Sequence, residues 1–198
     1  MKRVDPKYRP PRGWKVAMVT TRAPSEPFEV VRKTLVAMLT QEYPHDTWLA
    51  DEDPTDEIRQ WCAEHGVNLS SRKGVEAYHQ KQWPRRTKCK EGNLAYFYDH
   101  YGYGAYDFVA QLDADHAPEP GYLEAVLVPF RDPRVGYVSA PSICDANADT
   151  SWAARGRLYS ESSMHGALQA GYTNGFAPLC IGSHYAVRTA ALNEIGGL

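Results

Sequence analysis

Strand-like and helix-like segments alternate along this chain from residue 14 onward, and this alternation constrains the fold more than any other feature. Residues 14–21 form an apolar, β-rich run, and a helical pattern with one apolar face begins at Pro27. Residues 47–50 start the next pair, in which Thr55 can cap a helix that Gly66 ends. Repeated β-α units predict an α/β fold, with a mostly parallel sheet flanked by helices.

The same alternation continues to the end of the chain. It predicts strands over residues 67–71, 108–112, 135–140 and 184–188, and helices around Leu94 and over residues 122–130 and 153–169, the last closed by Gly171. In open sheets of this kind, ligands bind beyond the carboxyl ends of the strands. Functional side chains are therefore expected at those ends.

Two carboxylates, one residue apart, follow the strand over residues 108–112. Because strand side chains alternate between faces, Asp113 and Asp115 point the same way. Mg²⁺ and Mn²⁺ bind such oxygen ligands and commonly complete their shell with substrate phosphates. The pair therefore favours a metal site that holds a nucleotide diphosphate. A turn before Pro118 is the alternative interpretation, because aspartate also favours turns.

Polar side chains also follow two other strands. Thr20 and Thr21 lie at the end of the first strand, and Asp51 and Glu52 follow the second. If these strands are neighbours in the sheet, their ends share one edge with the Asp113 loop and form one site. For Asp51, a turn acid that precedes a helix is the alternative.

Composition narrows the class of protein. The 198 residues are 43% hydrophobic and 23% charged, with a formal net charge of -2, which is typical of a globular domain and predicts no nucleic-acid partner. The four cysteines form no C-x-x-C pair, so we expect a reduced compartment. No apolar run approaches the roughly 18 residues that span a bilayer, and no signal peptide is recognisable. The chain as given is expected to be soluble.

A basic, proline-rich leader occupies residues 1–13. Lysines and arginines are interspersed with prolines there, which predicts an extended segment rather than packed structure. One interpretation is a solvated tail, and the other is a segment that lies against anionic lipid.

Five short motifs follow one another between residues 20 and 183. They are Thr20-Thr21-Arg22-Ala23-Pro24-Ser25-Glu26-Pro27, Asp51-Glu52-Asp53-Pro54-Thr55-Asp56, Lys90-Glu91-Gly92-Asn93-Leu94-Ala95, Asp113-Ala114-Asp115-His116 and Cys180-Ile181-Gly182-Ser183. In this order they resemble the nucleotide-sugar-binding half of the family 2 inverting glycosyltransferases, in the cellulose-synthase-like branch. Asp53 departs from the resemblance, because the family usually has glycine there. The resemblance implies a GT-A type fold over residues 14–198, an incomplete catalytic domain.

The resemblance also assigns roles to individual residues. It implies donor contacts from Thr20, Thr21, Glu26, Asp51, Glu52, Lys90 and Asp113, a Mg²⁺ or Mn²⁺ ion on Asp113, Asp115 and His116, and an acceptor side formed by Cys180, Gly182 and Ser183. Plainer interpretations are a solvated lysine for Lys90, a packing residue for His116 and a turn for Gly182. Asn93 is expected to serve the start of its helix by capping backbone amides.

The reaction that the resemblance implies is transfer of a sugar from a nucleotide diphosphate sugar, such as a UDP-sugar, to a saccharide or lipid-linked acceptor. Transfer proceeds with inversion, as a step of polysaccharide synthesis. A general base must take the acceptor's proton, and the family carries that aspartate in a T-E-D motif, expected beyond Leu198. Residues 1–198 are thus expected to bind the donor without turnover. The longer protein would be held at the cytoplasmic face of a membrane by segments absent from this chain.

Two other functions fit parts of the sequence. A module that senses nucleotide sugars, or serves as a scaffold, would carry the same motifs without the catalytic base. A sugar-phosphate nucleotidyltransferase uses a related sheet but opens with a Gly-rich loop after its first strand. This chain has Thr20-Thr21-Arg22-Ala23-Pro24 at that place, which disfavours the second alternative.

Overall fold

The computed structural model describes residues 7–143, 145, 147–175, 179, 180 and 182–198, with residues 174 and 175 described in their backbone alone. The first half of the leader, Cys144 and Ile181 lie outside the described residues. The elements are β1 (Val16–Arg22), α1 (Phe28–Leu39), β2 (Asp46–Asp51), α2 (Asp56–His65), β3 (Asn68–Ser71), α3 (Lys90–Phe97), β4 (Phe108–Leu112), α4 (Tyr122–Leu127), β5 (Tyr137–Ser139), α5 (Trp152–Ser163), α6 (Gln169–Gly175), β6 (His184–Arg188) and α7 (Thr189–Glu194).

These strands form a six-stranded sheet in the order β3-β2-β1-β4-β6-β5. The pairs β1-β2, β1-β4 and β2-β3 are parallel, whereas β6 runs antiparallel to both β4 and β5. The predicted mostly parallel sheet is therefore confirmed, and the antiparallel strand β6 is inserted between β4 and β5. Because β1 and β4 are neighbours, the chain must cross over between β3 and β4.

Strand β1 is buried on both faces and separates two apolar clusters. Val16 and Met18 belong to the cluster that packs against α1, α2 and α4, while Ala17 and Val19 belong to the cluster beneath α3. Alternate side chains of a strand point to opposite faces, so helices on both sides each cover one set. The same burial extends through Arg22, at the carboxyl end of the strand.

The predicted limits of α2 are confirmed. The Thr55 hydroxyl accepts a hydrogen bond from the amide of Ile58 at 3.3 Å, which satisfies one of the free donors of the first turn. Gly66 ends the helix in the left-handed conformation, at φ of 69°, where a side chain would be strained. This helix carries the chain from the Asp51 turn to β3.

The helix expected over residues 153–169 runs further than the sequence predicts. Helix α5, a π-helical turn (Met164–Leu168) and α6 follow one another to Gly175, so Gly171 does not end the helix. Glycine ends helices mainly through a positive φ, and Gly171 does not adopt one. No residue of 152–168 is buried. Neither this segment nor any other helix in the described ranges is long and apolar enough to cross a bilayer.

Residues 7–13 of the leader lie against the domain. Pro10 is buried, and the Tyr43 hydroxyl donates a hydrogen bond to the carbonyl of Pro11 at 2.6 Å. Arg9 lies 3.5 Å from a carboxylate oxygen of Glu124. Residues 7–13 form neither a helix nor a strand, and these contacts attach them to the domain.

Helix α1 offers a test of the core with an internal control. Leu35 is fully buried, whereas Val36, the next residue, is 48% exposed. We expect Leu35→Ala to lower the free energy of unfolding by about 2–5 kcal/mol, because it leaves a cavity. Val36→Ala should change it by no more than about 0.5 kcal/mol. Urea unfolding measures both, and equal effects would contradict the assigned core face.

Burial of Cys62 predicts a pH dependence of stability. Burial, assisted by the negative charge of Asp51, raises the pKa of the Cys62 thiol to about 11 from a usual value of 9.0. The thiol therefore loses its proton at a lower pH in the unfolded chain than in the folded one. The stability that the protonated Cys62 thiol contributes is complete below pH 9.0 and is lost as the pH rises towards 11. Between pH 8 and pH 10, wild type should lose about 1 kcal/mol relative to Cys62→Ala. A pH-independent difference in urea unfolding would exclude this burial effect.

Candidate functional site

The carboxyl ends of β1, β2 and β4 meet at one edge of the sheet. Arg22 at the end of β1 pairs with Asp51, and Thr20 pairs with Leu112, the residue before Asp113. The strands are direct neighbours, with β1 in the middle. The predicted gathering of the three polar strand ends is therefore confirmed.

A cleft of about 530 Å³ opens at this edge. One wall, called the Thr21 loop below, runs from Thr21 near the end of β1 to Val30 in the first turn of α1. The opposite wall is the short segment Lys88–Lys90 at the start of α3. Asp113, Ala114 and Asp115 lie at the floor between them. The volume lies in the range of small-molecule sites. The charged lining residues are three carboxylates and two lysines, namely Glu26, Asp113, Asp115, Lys88 and Lys90.

The three predicted metal ligands lie together. One ligand atom each from Asp113, Asp115 and His116 falls within 4.8 Å of the others, and the Asp115 side chain is 69% exposed. The His116 Nδ1 atom lies 2.8 Å from an Asp115 oxygen. Carboxylate oxygens and an imidazole nitrogen suit Mn²⁺, and the carboxylates suit Mg²⁺. The donor set therefore fits the ion that the sequence predicts.

Lys90 joins this acidic loop to the segment predicted for the acceptor side. Its Nζ atom lies 2.7 Å from an Asp113 oxygen and donates to the carbonyl of Gly182, also at 2.7 Å. The amide of Asp113 donates to the carbonyl of Ser183 at 2.8 Å. Lys90 is therefore paired with the residues of the cleft, although its side chain is 40% exposed. Cys180 is exposed near the same segment.

Asp51 does not reach the cleft. Its carboxylate is fully buried and forms an ion pair with Arg22 at 3.0 Å. The same carboxylate accepts a hydrogen bond from the backbone amide of Asp53. Burial raises the pKa of Asp51, and the Arg22 guanidinium is the main opposing influence. The predicted contact with a nucleobase stays a prediction. Arg22, the ion-pair partner of this carboxylate, is itself buried, with 8% of its surface exposed.

Glu52 is likewise turned inward, towards an arginine that sequence reasoning missed. Arg72 is 1% exposed and donates to a Glu52 oxygen at 3.0 Å. The amide of Lys88 donates to the same carboxylate at 2.9 Å. A signal was available, because Arg72 directly follows β3 and thus stands at a fourth strand end of the same edge.

Of the other residues predicted to contact the donor, some line the cleft and one is buried beneath it. Thr21 and Glu26 line the cleft. The Glu26 carboxylate also accepts a hydrogen bond from the backbone amide of Ala23 at 2.6 Å, which orders the loop between β1 and α1. Thr20 is fully buried and does not line it. Residues of the opposite wall, Lys88 and Cys89, were not predicted. They follow one another directly before the recognised Lys90 motif.

Asn93 does not cap its helix, contrary to expectation. It lies inside α3, fully buried, and its amide donates to the carbonyls of Arg22 at 2.9 Å and Ala50 at 3.3 Å. The reason is topological, since α3 packs directly on the ends of β1 and β2 and their last carbonyls need donors. Asn93 therefore stabilises the edge that carries the site.

Three histidines connect the Asp113 loop with the helical segment of residues 152–175. The rings of His116 and His184 are stacked at 5.5 Å, and His184 Nε2 lies 3.4 Å from His165 Nδ1. Burial, and secondarily the neighbouring His165, lowers the pKa of His184 to about 4. His184 is therefore uncharged at neutral pH and does not repel a cation near His116.

Fold and site together define a GT-A glycosyltransferase domain. The family model of glycosyltransferase like family 2 matches residues 11–198. The chain belongs to that family, which confirms the resemblance drawn from the five motifs.

Curated relatives include two catalytic subunits of UDP-forming cellulose synthases. The one from Xanthomonas axonopodis pv. citri is 28% identical over 94% of this chain, and the one from Pseudomonas fluorescens is 26% identical over 95%. The aligned regions cover 25% and 24% of those proteins. The chain thus spans about a quarter of the length of these relatives.

Solved structures agree in fold. A mannosyltransferase from Pyrobaculum calidifontis, in complex with GDP-Man and Mn²⁺, matches 98% of this chain and 48% of its own, with a TM-score of 0.66 and 20% identity. Glucosyl-3-phosphoglycerate synthase from Mycobacterium tuberculosis, solved with Mn²⁺, UDP and glucosyl-3-phosphoglycerate, matches 90% and 58%, with a TM-score of 0.53 and 15% identity. These likenesses establish the GT-A fold.

The contact between Lys90 and Asp113 predicts how this site responds to a divalent cation. The ammonium group lies 2.7 Å from the Asp113 oxygen, so it would compete with a divalent cation for that oxygen and repel the cation. We expect Lys90→Gln to strengthen binding of Mn²⁺ alone several-fold, measured as free Mn²⁺ by electron paramagnetic resonance. Lys33→Gln removes an exposed lysine of α1 and serves as the matched control. Weaker or unchanged binding in Lys90→Gln would contradict this competition between the ammonium group and the cation.

Proposed function

We propose that this domain binds a nucleotide diphosphate sugar, with a UDP-sugar as the first candidate, and supplies the donor half of an inverting glycosyl transfer. The acceptor would be a saccharide or a lipid-linked sugar, and the product would be part of a polysaccharide. One observation supports the proposal: Asp113, Asp115 and Lys90 line one cleft at the carboxyl edge of a largely parallel sheet, and Lys90 pairs with Asp113.

Asp113, Asp115 and His116 would hold a Mg²⁺ or Mn²⁺ ion. When bound, such an ion acts as a Lewis acid and offsets negative charge on the departing diphosphate. Lys90 would add a second positive charge at the same place, because its Nζ atom lies 2.7 Å from Asp113. The cluster would thus stabilise the leaving group from two sides.

The base of the nucleotide would lie towards β2, between the Thr21 loop and the Lys88–Lys90 wall. Thr21 and Glu26 face this part of the cleft, whereas Asp51 and Glu52 support it from below. Direct contact between Asp51 and the base would require Arg22 to move. Arg22 is therefore a candidate for the residue that tunes base preference.

The acceptor would approach from the side of Gly182 and Ser183, next to Lys90. Inversion needs a base that takes the acceptor's proton as the new bond forms. By resemblance that aspartate belongs to a motif following Gly196-Gly197, so we propose that residues 1–198 bind the donor but do not transfer its sugar. By the same resemblance, the whole protein would act at the cytoplasmic face of a membrane.

Calorimetric titration tests the donor proposal directly. UDP, GDP and UDP-glucose are titrated with and without Mn²⁺, and we expect Mn²⁺ to strengthen binding of the UDP ligands by about tenfold or more. Asp115→Asn should abolish that Mn²⁺-dependent gain, because it removes one ligand charge. Glu42→Gln, at an exposed glutamate outside the cleft, is the control.

Two outcomes would count against the proposal. Binding of UDP that is independent of Mn²⁺, and unchanged in Asp115→Asn, would exclude an ion that bridges the diphosphate. Sugar transfer by residues 1–198 at a rate comparable with a complete enzyme would contradict the proposed lack of a base.

A further inference from the structure

We propose that Arg72 is a positioning residue, which fixes the Lys88–Lys90 wall of the cleft and thereby sets affinity for the donor's diphosphate. The inference rests on the proposed function for its ligand, but the contacts that carry it are independent of any ligand. Arg72 does not line the cleft, so it must act through the residues it holds.

Arg72 uses its whole guanidinium group inside the protein. Its Nε atom donates to the Asn93 side chain at 2.5 Å, and Nη1 donates to the carbonyl of Arg86 at 2.7 Å and to that of Tyr78. Nη2 donates to the carbonyl of Cys89 at 3.1 Å and to Glu52. A guanidinium offers five N–H donors in one plane, and this site is built around that plane.

Glu52 completes the arrangement from the neighbouring strand. Its carboxylate neutralises Arg72 and accepts the amide of Lys88 through both oxygens, at 3.1 and 2.9 Å. The backbone from Arg86 to Cys89 is therefore attached to the ends of β2 and β3 at three points. Further contacts of the same segment join Arg86 to Glu91 of α3 at 2.9 Å and Thr87 to the carbonyl of Gln80 at 3.1 Å.

Gly92 makes the close approach possible. A Cβ atom at this position would lie 2.6 Å from Arg72 Cζ and 2.6 Å from the carbonyl oxygen of Arg86. The first turn of α3 could then no longer pack on the guanidinium. Since Lys90 starts this helix and reaches Asp113, the place of Arg72 also determines where the Lys90 ammonium lies.

The affinity for UDP follows from this geometry. Lys88, Cys89 and Lys90 face the Thr21 loop across the cleft. Positive groups stabilise a phosphate strongly only when they are held in place, because ordering them on binding costs conformational entropy. A preorganised Lys88–Lys90 wall therefore binds the diphosphate more tightly than a mobile one would.

The test uses two variants that disturb the wall in different ways. Arg72→Lys keeps the charge but loses the planar fork, and Gly92→Ala keeps Arg72 but displaces it. Gly156→Ala is the matched control, because an added Cβ there meets nothing within 4 Å. Each variant is studied at a temperature at which circular dichroism shows it folded. Glu52→Gln replaces any variant that does not fold.

We expect Arg72→Lys and Gly92→Ala to weaken UDP binding in the presence of Mn²⁺ about tenfold or more, with a smaller loss for UMP. Amide hydrogen exchange of residues 88–90 should accelerate in the absence of any ligand. Binding of Mn²⁺ alone should not weaken, since its proposed ligands, Asp113, Asp115 and His116, belong to the Asp113 loop and not to the Lys88–Lys90 wall. Gly156→Ala should leave all three measurements unchanged.

Folded variants that bind UDP within twofold of wild type, or that keep wild-type exchange at residues 88–90, would overturn the role of Arg72. An equal loss for UDP and UMP would overturn its link to the diphosphate. If wild type binds neither UDP nor GDP with Mn²⁺, the proposed function fails, and the inferred effect on donor affinity fails with it. Exchange at residues 88–90 then decides alone whether Arg72 holds the wall.

Discussion

The parallel pairing of β1 with both β2 and β4 is the constraint on which the rest of the structure depends. Each residue of β1 is buried, so the strand cannot slip by one position without exchanging its two sets of apolar side chains. This fixed register brings Arg22 beside Asp51 and sets the Asp113 loop next to the Thr21 loop. The cleft is a consequence of where three neighbouring strands end.

Local periodicity explains why much of this fold could be predicted from the sequence. The strands, the cap at Thr55 and the end at Gly66 each depend on a few adjacent residues. The acidic pair was recognisable because it directly follows an apolar strand. Gly171 does not end its helix as the sequence predicts, because glycine ends helices mainly through a left-handed backbone, and tertiary context decides whether that conformation forms. Asn93 was misread because the carbonyls it satisfies belong to strands far away in sequence.

The buried ion pairs at the carboxyl edge of the sheet could not be predicted from the sequence pattern. Asp51 and Glu52 have the residue types of ligand-binding acids, yet each is paired with an arginine from an adjacent strand end. Those partners, Arg22 and Arg72, come close only because the sheet order is β3-β2-β1. Breaking such a buried pair is costly, since the remaining charge has no solvent. We therefore interpret the two pairs as support for the cleft.

The proposed donor site requires that the Asp113 loop binds a divalent cation, and that the same cation binds the donor's diphosphate. Anomalous diffraction from a crystal grown with UDP-glucose and Mn²⁺ tests it most directly. We expect a manganese peak within coordination distance of Asp113, Asp115 and both phosphates, with the Lys90 ammonium beside the diphosphate. A nucleotide bound elsewhere, or the two carboxylates without a manganese peak while UDP-glucose occupies the cleft, would contradict it.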